Sequence, residues 1–362
     1  MKKIKSIIIG ILLVVSILAV ISPVSAATRE VGLGKAYATI GAAMADAGNG
    51  DTILVYPGTY NENITINIPN LTLKSVGGRD STTIGPGTGL NQNSVISIQA
   101  GLGTITVDGF TVILSPSTLG GYHPIGIRQG MSASTGTTCY IFNNKIKVTG
   151  TLRNGIQVSG DNSKVVGNIV EGGPLTADWG SSGILIATTA TTKNILIKDN
   201  HLLGEMDYGI GIITWSDGGL SDIQIENNIV EKSIWAGISI GGKVSNTLVQ
   251  NNIIKNNKTA GLEEIHNNYY GYAVGNPTGT KVYYNQFCNN GKDIDIYDDP
   301  NDSYFIGESK LDARSNYGCI SSNTLPMDQI SRILGFGKSK YTTGEIIEGF
   351  CKDNPSAEGC QR

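Results

Sequence analysis

Charge is scarce in this chain: Asp, Glu, Lys and Arg make up 16% of its 362 residues, below the quarter or so that is usual. The formal net charge is −3, and no basic stripe exists to neutralise phosphates, which argues against nucleic acid as a partner. Histidine is as sparse. His123, His201 and His266 are the only three, too scattered for a metal set. Also missing, between the repeated units described below, is any stretch with the length and 3.6-residue stripe of a crossover helix, so alternating strand-helix folds are excluded. A leucine consensus is absent too, which excludes leucine-rich repeats. Past Ile21 no apolar run approaches the length of a membrane span.

The first 26 residues read as a leader. Lys2, Lys3 and Lys5 precede the apolar run Ile7 to Ile21, and "SPVSA" supplies small residues for a cut after Ala26. An uncleaved anchor is the alternative, though 15 apolar residues are short for one. Losing those three lysines takes the formal charge from −3 to −6. Export and a location outside the cell or on its surface follow as expectations. Five cysteines leave an odd count; Cys288 with Cys319 and Cys351 with Cys360 could pair, leaving Cys139 as a buried small hydrophobe. Asn63, Asn70, Asn257 and Asn301 stand in N-x-S/T sequons.

What the chain has in abundance is glycine, 48 residues, and asparagine, and both recur. A unit reading apolar-x-x-Asn-x-apolar, then a turn, then Gly-Ile-x-apolar repeats along the sequence. The asparagine slot holds Asn144, Asn168, Asn200, Asn228, Asn252 and Asn285, spaced by 24, 32, 28, 24 and 33 residues. The glycine slot reads as Gly126, Gly155, Gly183, Gly211, Gly237 and Gly261. Each unit carries two or three period-two runs of three to five residues. Short strands without crossovers can bury their apolar faces only by stacking coil on coil, about 4.8 Å apart. The expected fold is all-β, a parallel β-helix solenoid over residues 27–318. Asparagines then mark the corners, where the side-chain amide can pair with the next coil.

Before the repeat, Ile40, Ala43, Met44 and Ala47 fall at i, i+3, i+4 and i+7 behind Thr39 as N-cap. This short helix would cover the open end of the solenoid. After Gly318 the period is lost. "LPMDQISRILG" and "TTGEIIEGFCKD" read as short amphipathic helices of a C-terminal extension, 319–362, the second opened by a Thr342/Glu345 capping box. That extension is either a cap or a separate docking module.

The repeat, with the opening "YATIGAAMADAGNGDTILVYPGTYNENITI", resembles the parallel β-helix proteins of the pectate-lyase-like superfamily, NosD-type carbohydrate-binding and sugar-hydrolysing proteins included. The resemblance covers roughly residues 36–318 and implies a right-handed coil. It does not carry the superfamily's active sites. The pectinesterase segments D-F-I-F-G and G-R-P-W are absent, as is the R-x-P-x-x-R of pectate lyases. Of the polygalacturonase set only Asp298-Asp299 matches, far too late in the chain. The alginate epimerase Y-G-x-D-P-H is approached by "YGIGII", with Gly211 and Ile213 in place of the acid and the histidine.

Candidate site residues therefore come from the pattern itself. Just before the glycine slot stand Tyr122-His123, Arg153, Asp178-Trp179, Asp207-Tyr208 and Trp235. Stacked on successive coils, Tyr122, Arg153, Trp179, Tyr208 and Trp235 would line one groove, and aromatic faces with nearby acids suit sugar rings. Loop bends covering coil edges are the plain alternative. Asp178 and Asp207 would lie about 5 Å apart on adjacent coils, as in a retaining glycosidase pair, or about 10 Å apart two coils on, as in an inverting one, with solvated turn acids the plain alternative; His266, after Glu263 and Glu264, is a further acid/base candidate. Glu205, Glu231 and Asp217 lie near the same wall. No cofactor is expected; Asp298, Asp299 and Asp302 could surround Ca²⁺ or simply form an acidic turn. The leading expectation is an exported protein that engages polysaccharide along this wall. A lyase or glycoside hydrolase with unfamiliar residues is one alternative, and a structural surface protein another.

Overall fold

The computed structural model describes residues 26–85, 94–114, 125–130, 136–148, 154–173, 180–215, 218–266 and 275–297, with Ala313, Asn316 and Gly318. The leader before Ala26, the extension 319–362 and the Asp298–Asp302 segment lie outside the described residues. Among the described residues, strands form three sheets of ten, nine and nine, which the chain visits in turn, and each strand pairs in parallel with its equivalent one coil on. This is the expected parallel β-solenoid.

The strands form because alternation puts one set of side chains inside every coil. In the first sheet a single inward ladder runs Ile53, Leu73, Val107, Ile141, Val165, Ile197, Ile225, Val249, Val282, register partner to register partner. All nine are fully buried, so each coil removes its apolar surface from water only with its neighbours in place.

Corners between the first and second sheets are built from a left-handed residue followed by an asparagine. The left-handed residue is itself an asparagine at Asn143, Asn227 and Asn251, and is Gly167, Asp199 and Tyr284 at the others. The asparagine that follows is buried and bonds to the next coil: Asn144, Asn168, Asn200, Asn228, Asn252 and Asn285 each donate both backbone N–H and Nδ2 to the Oδ1 of the following asparagine. The ladder starts where Phe110 N–H donates to Asn144 Oδ1, 3.0 Å away. It ends at Asn316, a rung beyond the last one evident in the sequence.

The glycine slot is also real, with one correction. Gly183 lies beside Gly209, not Gly211, because Ser182 is in register with Tyr208. At Gly126, Gly155, Gly183, Gly209, Gly237 and Gly261 an added Cβ would meet the carbonyl oxygen of the next coil's slot residue at 2.6–2.7 Å. Glycine is needed there because two backbones approach, and the slot closes at Asp293, whose carbonyl is the last in the row.

The N-terminal helix spans Ile40–Asp46, with Thr39 Oγ1 accepting from Ala42 N–H and Ile40, Ala43 and Met44 buried. Glu62, from the first coil, accepts from Ile40 and Gly41 N–H at 2.9 and 2.7 Å, so a carboxylate sits on the positive end of the helix. Cys139 is free and buried, its Sγ 3.2 Å from Gln129 Oε1, and burial pushes its thiol up to about 12. Cys288 is disulfide-bonded, to a partner outside the described residues. Asn257, one of the sequon asparagines, is buried and held by Asn290.

Candidate functional site on the third sheet

The third sheet runs from Ile64–Ile66 to Lys292–Tyr297. Its outer face carries two columns of side chains, one on each side of the glycine slot. Behind the slot, Tyr208, Ala236, Ala260 and Lys292 are successive register partners. Ahead of it, two residues after each slot position, Gly211, Ser239, Glu263 and Asp295 form the second column.

Of the aromatic and basic residues expected on this wall, Tyr122, Arg153 and Trp179 lie outside the described residues, as does Asp178. Tyr208 and Trp235 do come together. Their rings meet edge-on, centroids 5.8 Å apart at 75°, and with Ala236 and Ala260 they form an apolar cluster separate from the solenoid core. Tyr208 differs from the expectation of an open sugar platform, being only 4% exposed. The two alanines leave room for its ring to lie against the sheet, while Trp235 is half-buried.

Asp207 and His266 are not brought together. Asp207 precedes its third-sheet strand, whereas His266 follows one two coils on. The Asp207 carboxylate accepts from Gly180 N–H at 2.7 Å, Ser181 N–H at 2.8 Å and Ser181 Oγ at 3.3 Å, so it ties one coil to the previous one. Replacing it with Ala would leave those donors without an acceptor and should destabilise the protein by about 2–3 kcal/mol, read as a lower urea midpoint. Unchanged stability would show that the carboxylate is free for other work.

His266 is buried, with Nε2 3.1 Å from Glu264 Oε2. Glu264 takes an inward position, in register with Ile240 on one side and Ile296 on the other. Its Oε1 is buried and has no hydrogen-bond partner among the described residues. This pair belongs to the interior, not to the groove. His201 lies on the second sheet, 2.7 Å from Glu231 Oε1.

The groups that the sequence reading did not assign to the site are Ser239, Asp295 and Lys292, and Glu263 entered it only as a further acid near the wall. Ser239 Oγ donates to Glu263 Oε1 at 2.7 Å, and the Tyr208 hydroxyl also bonds to Glu263. Lys292 Nζ reaches both Asp295 oxygens, at 3.0 and 3.1 Å. Burial pushes the Glu263 carboxyl up to about 7; the Ser239 bond acts against this, Asp295 adds to it, and the Tyr208 bond also acts against it. The column's signal in the sequence is its constant offset, two residues after the slot.

A sequence match to the family described as "Periplasmic copper-binding protein (NosD)" covers residues 88–317. This chain belongs to the NosD family. Among solved structures it is similar to PfbA, a surface adhesin of Streptococcus pneumoniae, at 15% identity over 79% of this chain and 75% of that one, with a TM-score of 0.58. Pectate lyase Pel9A follows at 14% identity, 84% of each chain and a TM-score of 0.48. The pectin methylesterase PemA from Erwinia chrysanthemi matches at 15% identity over 88% of this chain and 98% of that one, TM-score 0.37. With the family match, the likeness to the adhesin shows a shared β-helix fold and nothing about activity. No curated protein matches the chain.

The NosD description raises copper, which favours clustered imidazole and sulfur ligands. Among the described residues no three His, Cys, Asp or Glu side chains stand together as a metal group. His201 is held by Glu231 on the second sheet and His266 by Glu264 in the interior. Cys139 is buried with its thiol pushed up, which disfavours the thiolate that metals bind. These residues do not fit a copper centre.

Proposed function

We propose that this NosD-family β-helix protein is exported and engages a polysaccharide along the outer face of the third sheet. The observation that carries this is the half-buried Trp235, set edge-on against Tyr208, whose hydroxyl bonds to Glu263. An apolar ring beside hydroxyl and carboxylate groups is the combination that pyranose rings use, their C–H faces on the aromatic and their hydroxyls on the acceptors. Successive coils repeat about every 4.8 Å, on the scale of one sugar unit, so a chain lying along the solenoid axis meets equivalent positions in turn. The leader-like N-terminus supports export, and no described helix is long and apolar enough to cross a membrane.

Binding to a panel of plant, bacterial and algal glycans, followed by calorimetry, tests the proposal. Trp235→Ala should weaken binding about 10-fold, which corresponds to about 1.4 kcal/mol, without lowering the unfolding midpoint in step. Affinity unchanged by Trp235→Ala would move the site off this face. The continuity of the buried ladders favours a second reading, a stiff surface spacer without a ligand, and that reading stands if no glycan binds.

A further inference from the structure

We infer that Glu263 and Asp295 are the acid and the carboxylate nucleophile of a glycoside-hydrolysing site on this face. The inference rests on the glycan reading above and goes beyond it by naming a reaction.

The two residues are register partners on adjacent coils of the third sheet's outer face, with backbones about 4.8 Å apart. Their surroundings set them apart chemically. Glu263 has hydroxyl partners, Ser239 Oγ at 2.7 Å and the Tyr208 hydroxyl, which can bond to it in either protonation state. Asp295 accepts from the Lys292 ammonium on both oxygens, which fixes the orientation of its carboxyl group. A carboxyl that holds its proton beside a second, oriented carboxyl is the pairing that glycosidic bond cleavage needs. Burial, which pushes the Glu263 carboxyl up to about 7, keeps that proton in place near neutral pH.

The step balances with water alone. The Glu263 proton passes to the glycosidic oxygen as the C1–O bond breaks, and an Asp295 oxygen forms a bond to C1. Water then attacks C1, giving a proton to the Glu263 carboxylate as the C1–Asp295 bond breaks. Neighbouring carboxylates at this spacing belong to the retaining geometry, so the anomeric configuration should be kept. Both acids are 2% exposed. The Tyr208 hydroxyl is the partner that a sugar hydroxyl must displace to reach Glu263.

The test uses the full chain with those glycans that bind it. Reducing-end release should occur, with NMR showing retained configuration in the first product. Glu263→Gln and Asp295→Asn should each lower the rate at least 1,000-fold while glycan affinity stays within about 3-fold. The rate should fall as pH rises through about 7, and Tyr208→Phe, which removes a bond that lowers the Glu263 value, should shift that fall to higher pH. A variant with a purely structural defect would lose rate at every pH without moving the limb. Binding without hydrolysis overturns this inference and leaves the glycan reading intact, as does hydrolysis that survives Glu263→Gln. Absence of binding to every glycan overturns both.

Discussion

Gly209→Ala is expected to destabilise the solenoid by about 3 kcal/mol or more, whereas Gly211→Ala, two residues on, should cost under about 1 kcal/mol. A Cβ on Gly209 would stand 2.2 Å from Val230 Cγ1 and 2.7 Å from the Gly237 carbonyl oxygen. The carbonyl belongs to the adjacent coil and cannot retreat without separating the two coils. A Cβ on Gly211 points to the outer face and has Ser182 Oγ at 3.0 Å and Leu185 Cδ1 at 3.2 Å as its nearest neighbours, with Ser182 Cβ at an ordinary 3.8 Å, side-chain atoms that can turn aside. Thermal and urea midpoints of the two variants decide the matter. Equal losses, or a larger loss at Gly211, would contradict the register found here.

That pair of glycines also shows where the sequence stopped being readable. Both read as Gly-Ile, in "YGIGII", and local pattern cannot say which of two glycines two residues apart packs on the next coil. Only pairing settles it, through Tyr208 opposite Ser182 and Ala236. The asparagine slot was legible without this help, because its side chain must donate and accept at once. The N-terminal helix was legible from Thr39 and its stripe, but its carboxylate partner, Glu62, lies 22 residues ahead of Ile40 and leaves no local trace.

The candidate site was legible in part. Aromatic residues before the slot pointed to the third sheet, and Tyr208 and Trp235 do meet there. Their exposure could not be foreseen, since it depends on Ala236 and Ala260 being small on the two following coils. Asp207 looked like a reacting acid because a carboxylate beside a tyrosine carries no mark of its backbone partners; Gly180 and Ser181 claim it. Glu263 and Glu264 are adjacent in sequence yet face opposite sides of the sheet, one bonded to Ser239 and the other in line with Ile240. The period of two makes neighbours strangers, and only the register shows which of them can meet a ligand.

The asparagine ladder should show its cooperativity as a gradient of mutational cost. Asn228→Ala, in the middle, is expected to lower stability by about 4 kcal/mol, and Asn144→Ala, at the start, by about half that. Asn228 Nδ2 donates to Ile197 O, Glu226 O and Asn252 Oδ1, while its Oδ1 accepts from both Asn200 N–H and Asn200 Nδ2. Removing the amide strands two buried donors of Asn200 as well as unpairing the carbonyls. Asn144 Oδ1 accepts from Phe110 N–H alone, so its loss strands one donor, and the turn before it can relax because no asparagine precedes it in the ladder. Chemical denaturation of both variants beside the parent gives the comparison. If the two costs were equal, the amides would act as independent turn residues, each satisfied within its own corner. A larger cost at Asn228 would identify the ladder as the element that passes stability from coil to coil and holds the third sheet in the register on which its outer face depends.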